Sequence, residues 1–138
     1  MSEDSIKFIK ALNDHNLIAM KKIPKSDLHN HFVLGGNRKY IQSKTGYRIE
    51  PIKTALQSID EMHQWNNQNL DNYFDNTDMR SMLIEATFVQ AKEDGVSVLE
   101  IGEDAWGLGE YFSDDVDALI STFLSTKESI APDIELRL

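Results

Sequence analysis

The chain has 138 residues, a formal net charge of −9 and no cysteine. Hydrophobic residues make up 41% and charged residues 27%, which is typical of a globular domain and argues against general disorder. The acidic balance argues against nonspecific nucleic-acid binding, and the lack of cysteine excludes disulfides and thiolate metal sites. Histidine and carboxylate side chains are therefore the good metal ligands that remain. The first residues lack the pattern of a secretory signal and no apolar run approaches a bilayer span, so we expect a cytoplasmic protein.

The first half of the chain predicts a helix, a strand and then a mixed polar region. Apolar spacing indicates a helix from Asp4 to about Met20, with an apolar face made of Ile6, Phe8, Ile9 and Leu12. The segment from Ser26 to Phe32 predicts a strand that enters a loop at Gly35 and Gly36. The polar stretch from Asn37 to Asn76 is expected to hold two or three short helices.

The second half alternates more regularly. A long helix is predicted from Thr77 as N-cap to Gly95 at its end, with an apolar face of Met79, Met82, Leu83, Ala86 and Val89. The β-branched segment from Val96 to Ile101 predicts a second strand. A further helix is expected to begin at Ser113, with Asp114, Asp115 and Asp117 as its acidic start and solvated face. Its predicted apolar stripe consists of Val116, Leu119, Ile120, Phe123 and Leu124. Pro132 ends that helix, and the stretch from Asp133 to Leu138 begins a third strand. Strands that alternate with amphipathic helices favour an α/β fold with parallel pairing.

The strongest local signal for chemistry is the His-x-His sequence at the end of the first predicted strand. Residues two apart in a strand point to the same face, so the imidazoles of His29 and His31 are expected to lie side by side. Neutral imidazole binds zinc and several other transition metals, whereas a bare His-x-His also occurs by chance on surfaces. Its position before a double glycine favours the metal-site hypothesis.

The other chemically able residues allow more than one interpretation. His15 and His63 have polar neighbours and are expected to be surface residues. Glu100, near the end of the second strand, could hydrogen-bond a metal-bound histidine, contact substrate or cap a turn. Candidates for contacting a substrate are Gly36, Glu103 and Trp106. Asp104 and Tyr111 lie in the same predicted loop as Glu103 and Trp106, and Trp106 and Tyr111 could equally be packing residues. No complete glycine-rich phosphate loop is present.

Two segments of the chain resemble the adenosine deaminase family. Residues 23–31, Ile-Pro-Lys-Ser-Asp-Leu-His-Asn-His, are similar to the opening of that family's barrel, which has Pro-Lys, an acid, Leu and His-x-His. Residues 91–101, Ala-Lys-Glu-Asp-Gly-Val-Ser-Val-Leu-Glu-Ile, resemble the family's helix end and second strand. The resemblance runs from about Lys22 to Leu138 and covers the first part of the family's barrel.

The resemblance implies a fold and a chemistry. The fold is the N-terminal part of a (β/α)8 TIM-type barrel, with residues 1–22 as an N-terminal helix and 23–138 as the first three strand–helix units of one partial domain. His29 and His31 are implied as two ligands of one Zn²⁺ per complete site. In that family zinc acidifies a water molecule, and the resulting hydroxide displaces ammonia from a purine nucleoside. The remaining ligands and proton-transfer residues are expected beyond residue 138, so the chain alone is expected to be inactive.

Two departures from the family pattern leave the substrate open. Residues 32–36, Phe-Val-Leu-Gly-Gly, lack the acid that the family places there against the ribose, and Gly102 stands where the family often has Arg. A relative that acts on another amine would explain both. One alternative is a phosphoesterase-like metal hydrolase, although its usual Ser-Asp-Gly is absent. Another is a non-catalytic module that binds a partner or small molecule. A barrel needs about 250 residues, so a protein that ended at Leu138 would be expected either to oligomerise through its open sheet edges or to be poorly soluble.

Overall fold

The computed structural model describes residues 1–70, 77–103 and 105–138, and it describes the side chains of all of these except Leu34, Ala105 and Trp106. This part of the chain is a mixed α/β structure with one sheet of three parallel strands in the order β1-β2-β3. The strands are β1 (Lys25–His31), β2 (Val96–Gly102) and β3 (Glu135–Arg137). The predicted α/β class and the parallel pairing are therefore confirmed.

The helices connect and flank these strands. In chain order they are α1 (Glu3–Asn13), α2 (Leu17–Lys21), α3 (Phe32–Gly35), α4 (Arg38–Thr45), α5 (Ile59–Asn69), α6 (Thr77–Asp94), α7 (Ala105–Phe112) and α8 (Val116–Ile130). Two short helices, α4 and α5, occupy the described part of the polar region 37–76, as predicted. Residues 71–76 of that region lie outside the described residues.

The hydrophobic core lies between one face of the sheet and helices α6 and α8, which pack against each other. Its fully buried side chains include Phe32, Leu83, Ile84, Phe88 and Leu99, each 0% exposed. The described residues leave the opposite face of the sheet uncovered, and Leu28 on β1 is 55% exposed there.

The N-terminal helix differs from the sequence prediction in two ways. It is broken into α1 and α2 at His15, whose φ of 51° is incompatible with a continuous helix. Asn16 then caps the second helix, because its side-chain oxygen accepts a hydrogen bond from the amide of Ala19 at 3.0 Å. The predicted apolar face is also largely exposed: Ile6, Ile9 and Leu12 are 55%, 45% and 50% exposed, and Ala11 is the buried residue of this helix.

The long central helix ends before Gly95 as predicted, but Thr77 is its first residue rather than the predicted N-cap, and its buried face is rotated from the prediction. Gly95 has a φ of 74°, the left-handed conformation that terminates a helix and favours glycine. The residues of α6 that are buried are Arg80, Leu83, Ile84, Ala86, Thr87, Phe88 and Ala91. The predicted face members Met79, Met82 and Val89 are half-buried. The helix is covered over more than one stripe because α3, α8 and the sheet contact it from different sides.

The segment after β2 contains a helix that the sequence did not predict. Residues 105–112, expected as a loop, form α7. The following helix begins at Val116 rather than Ser113, because Ser113 and Asp114 have φ values of 54° and 59° and Asp115 is the N-cap. Among the described residues, no helix is both long enough and apolar enough to cross a membrane.

Candidate functional site

The His-x-His sequence lies in a bulged part of β1. Asp27 pairs with Leu99 and Asn30 with Ile101, so three steps along β1 match two along β2. Such a bulge shifts the alternation of side chains by one residue. Asp27 and Asn30 therefore share the covered face of the sheet with their partners. The two histidines are exposed and lie on the open face.

His29 and His31 come together at the C-terminal ends of the strands. Their Nε2 atoms are 3.0 Å apart, and the ring centroids are 4.7 Å apart with an interplanar angle of 66°. Two imidazoles on one tetrahedral zinc, with Zn–N bonds of about 2.0–2.1 Å, have nitrogens about 3.3 Å apart. A shift of a few tenths of an ångström would thus let both nitrogens bind one ion. The same distance also permits one ring to donate a hydrogen bond to the other.

A side-chain hydrogen bond spans the bulge beside the two histidines. The amide of Asn30 donates to the Asp27 carboxylate at 2.7 Å, across the bulge. Gly35 leaves space for the Asn30 side chain, since a Cβ on Gly35 would lie 2.9 Å from the Asn30 Cγ and closer still to its Oδ1. The carboxylate of Asp27 is thereby engaged within the strand, on the face opposite the histidines.

A buried ion pair lies at the same end of the sheet. Glu103 follows directly after β2, and its Oε2 is 3.9 Å from Nε of Arg80, with side-chain exposures of 1% and 3%. The Arg80 guanidinium lies 4.1 Å from the ring centroid of Tyr111 and 5.8 Å from that of Phe32. The predicted substrate candidate Glu103 is therefore enclosed by helices α6 and α7 in this structure.

The other predicted site residues are dispersed. Glu100 is exposed on β2, where its Cα pairs with Arg137 of β3. Gly36 packs against α6, where a Cβ would lie 2.9 Å from the Cβ of Ala86, so close packing explains this glycine. The Trp106 side chain and Asp104 lie outside the described residues.

The two remaining histidines are on the surface as predicted, whereas the acidic segment is solvated as predicted but lies mostly before α8, with only Asp117 in the first turn. His15 and His63 are exposed. The acidic residues at the start of α8 are exposed as well, and Asp115 accepts a hydrogen bond from the amide of Ala118 at 2.9 Å.

Several clefts lie away from the histidine pair. One of 260 Å³ at the opposite end of the sheet includes Lys92 and Asp133 in its lining, and one of 410 Å³ includes Gly36 and Glu93. A third, of 460 Å³, is lined by helices α1 and α2 and the segment that follows them. None of these three contains either histidine. Among the residues described, no group of three His, Cys, Asp or Glu side chains is arranged to hold a metal ion.

Arg80 is the residue near the site that sequence reasoning missed. It is 2% exposed and lies near the start of α6, a helix whose sequence prediction rests on its apolar residues alone. The sequence did contain a signal, because Arg80 stands three and seven positions before Leu83 and Thr87, both fully buried. An arginine within such a stripe must find a buried partner, and Glu103 supplies it.

Comparisons with models of protein families, with curated proteins and with solved structures found no match to this chain.

Proposed function

We propose that this chain supplies the first two metal ligands of a zinc-dependent hydrolytic deaminase that resembles the adenosine deaminase family. The observation that supports the proposal is the convergence of His29 and His31, with their Nε2 atoms 3.0 Å apart on the open sheet face. The sheet is parallel, and the pair stands at its C-terminal edge, where α/β barrels place their chemistry. The TIM-type barrel is part of this proposal.

The donor set fits a borderline divalent metal better than a hard one. Both donors are imidazole nitrogens, which favour Zn²⁺ and its neighbours over Mg²⁺ or Ca²⁺. A catalytic zinc site has three protein ligands and one open position, so at least one ligand must come from outside the pair. When bound, zinc supplies the means to deprotonate a water molecule near neutral pH.

Asp27, Asn30 and Glu100 lie close in sequence or in the sheet to the histidine pair and would form its surroundings. The Asp27–Asn30 hydrogen bond spans the bulge that turns Asp27 to the face opposite the imidazoles. Glu100 presents an exposed carboxylate on the same strand that pairs with β1, one residue before Ile101. In a deamination, the substrate carbon that bears the amino group gains the hydroxyl group of a water molecule, and the amino group takes up the remaining proton and leaves as ammonia. We propose a purine nucleoside or a related amine as the substrate class.

The test is to locate bound metal and then to identify the leaving group. Zinc and paramagnetic Co²⁺ are titrated into the chain and into His29→Ala, His31→Ala and the double variant, with His15→Ala and His63→Ala as matched controls. We expect binding that both single variants weaken and the double variant abolishes, and cobalt-induced NMR shifts centred on β1. Metal binding that is insensitive to both β1 substitutions would refute the site.

Product analysis separates the competing enzyme classes. The natural gene product is loaded with zinc and incubated with adenosine, other aminopurines and phosphate esters. Release of ammonia supports the deaminase, and release of phosphate instead supports the phosphoesterase-like alternative. If the protein binds no metal but does bind a small molecule or a partner, the result would favour a non-catalytic module.

A further inference from the structure

The Arg80–Glu103 ion pair is more deeply buried than its charges alone would favour. The two side chains are 3% and 1% exposed. Burying two charges carries a large desolvation cost, and apolar residues of similar volume often stabilise a fold equally well. The particular position of this pair is therefore more informative than its presence in the core.

Arg80 contacts both of the segments that leave the sheet beside the histidine pair. Its guanidinium lies 5.8 Å from the ring centroid of Phe32, the residue after His31. Its Nε lies 3.9 Å from the carboxylate of Glu103, the residue after Gly102. His31 and Gly102 are themselves partners in the parallel ladder. The Arg80 side chain thus links Phe32, the residue after β1, to Glu103, the residue after β2.

The surroundings leave this arrangement little freedom. The hydroxyl of Thr87 is shared between the Leu83 carbonyl of its own helix at 3.1 Å and the Phe32 carbonyl at 3.2 Å, which brings the same exit close to helix α6. On the other side, Gly107 makes room for the Glu103 carboxylate, since a Cβ there would lie 2.5 Å from Oε1. The Tyr111 ring lies 4.1 Å from the guanidinium. Both strand exits are therefore fixed to one helix through Arg80 and its neighbours.

We propose that Arg80 is a positioning residue that holds the ring of His31 against that of His29 by clamping the exits of β1 and β2. The planar guanidinium suits this role because it can lie against two aromatic rings while it faces a carboxylate. The effect on metal affinity rests on the proposed function, whereas the effect on ring order does not.

The test compares Arg80→Lys with Arg48→Lys, a matched control at an exposed arginine that pairs with Glu50 at 3.1 Å. A second variant, Arg80→Met/Glu103→Leu, removes both buried charges together and so avoids an uncompensated one. Histidine-ring NMR spectra of the metal-free chain at one pH report whether the His29–His31 contact persists. Melting temperature and zinc affinity are measured on the same samples.

We expect Arg80→Lys to broaden or average the ring signals and to weaken zinc binding by about tenfold, while Arg48→Lys changes neither. The double variant should keep a melting temperature close to that of the unaltered chain and still lose ring order. Intact ring order in Arg80→Lys, or its retention in the double variant, would overturn the positioning role. If the unaltered chain shows ordered rings and no zinc binding at β1, the proposed function fails while the ring spectra still decide the role of Arg80.

Discussion

Replacing Gly95 with alanine should destabilise the chain far more than the same replacement at Gly46. Both glycines follow a helix and both have a φ of 74°, so each substitution places alanine in the left-handed region. The surroundings differ. A Cβ on Gly95 would lie 3.0 Å from the carbonyl carbon of Lys21 and closer still to its oxygen, whereas a Cβ on Gly46 meets no atom within 4 Å.

These distances set the expected magnitudes. The left-handed conformation costs an alanine about 1–2 kcal/mol, which is the whole expected effect at Gly46. At Gly95 the end of helix α2 must also move, and overpacking of this kind costs about 1–3 kcal/mol more. We therefore expect a loss in the free energy of unfolding of about 2–5 kcal/mol for Gly95→Ala.

The assay is urea denaturation followed by far-UV circular dichroism, with both variants measured beside the unaltered chain. A lower transition midpoint at unchanged slope reports a change in stability alone. Equal losses for the two variants would refute the close approach of α2 to the turn between α6 and β2. A loss at Gly46 well above about 2 kcal/mol would refute the assignment of its cost to backbone conformation.

Two further predictions concern the body of the fold. Burial, together with a hydrogen bond to the Glu85 carboxylate at 2.7 Å, raises the pKa of the Tyr40 phenol from 10.0 to about 12. The neutral phenol therefore stabilises the fold fully below pH 10, and this contribution is lost as the pH rises towards 12. Glu85→Gln should lower the midpoint of the phenol titration, followed by absorbance at 295 nm. An unchanged titration midpoint would contradict the contact between Tyr40 and Glu85. Leu83→Ala, at a fully buried position, should lower the free energy of unfolding measured by urea denaturation by about 2–5 kcal/mol. Ile6→Ala, at a position that is 55% exposed, should change it by no more than about 0.5 kcal/mol. A comparable loss at Ile6 would show that this face of α1 is covered.

The sequence determined the features that depend on short-range periodicity and turn chemistry. The central helix ends where Gly95 indicates, because a left-handed glycine terminates a helix whatever packs around it. The period of two in a strand likewise places His29 and His31 on one face. Alternating strands and helices were enough to predict the parallel sheet.

The tertiary structure decided which faces are covered and which polar residues meet. Apolar spacing in α1 predicts a buried face, yet Ile9 is 45% exposed, because a local pattern says nothing about whether a partner surface lies opposite. The bulge that turns Asp27 away from the histidines depends on the register against β2, and no local pattern encodes that register. Arg80 and Glu103 are 23 positions apart in the sequence, and only the packing of α6 and α7 over the strand ends brings them together. The sequence therefore determined that His29 and His31 share one face of β1. Contacts between distant segments determined the bulge and the Arg80–Glu103 pair beside them.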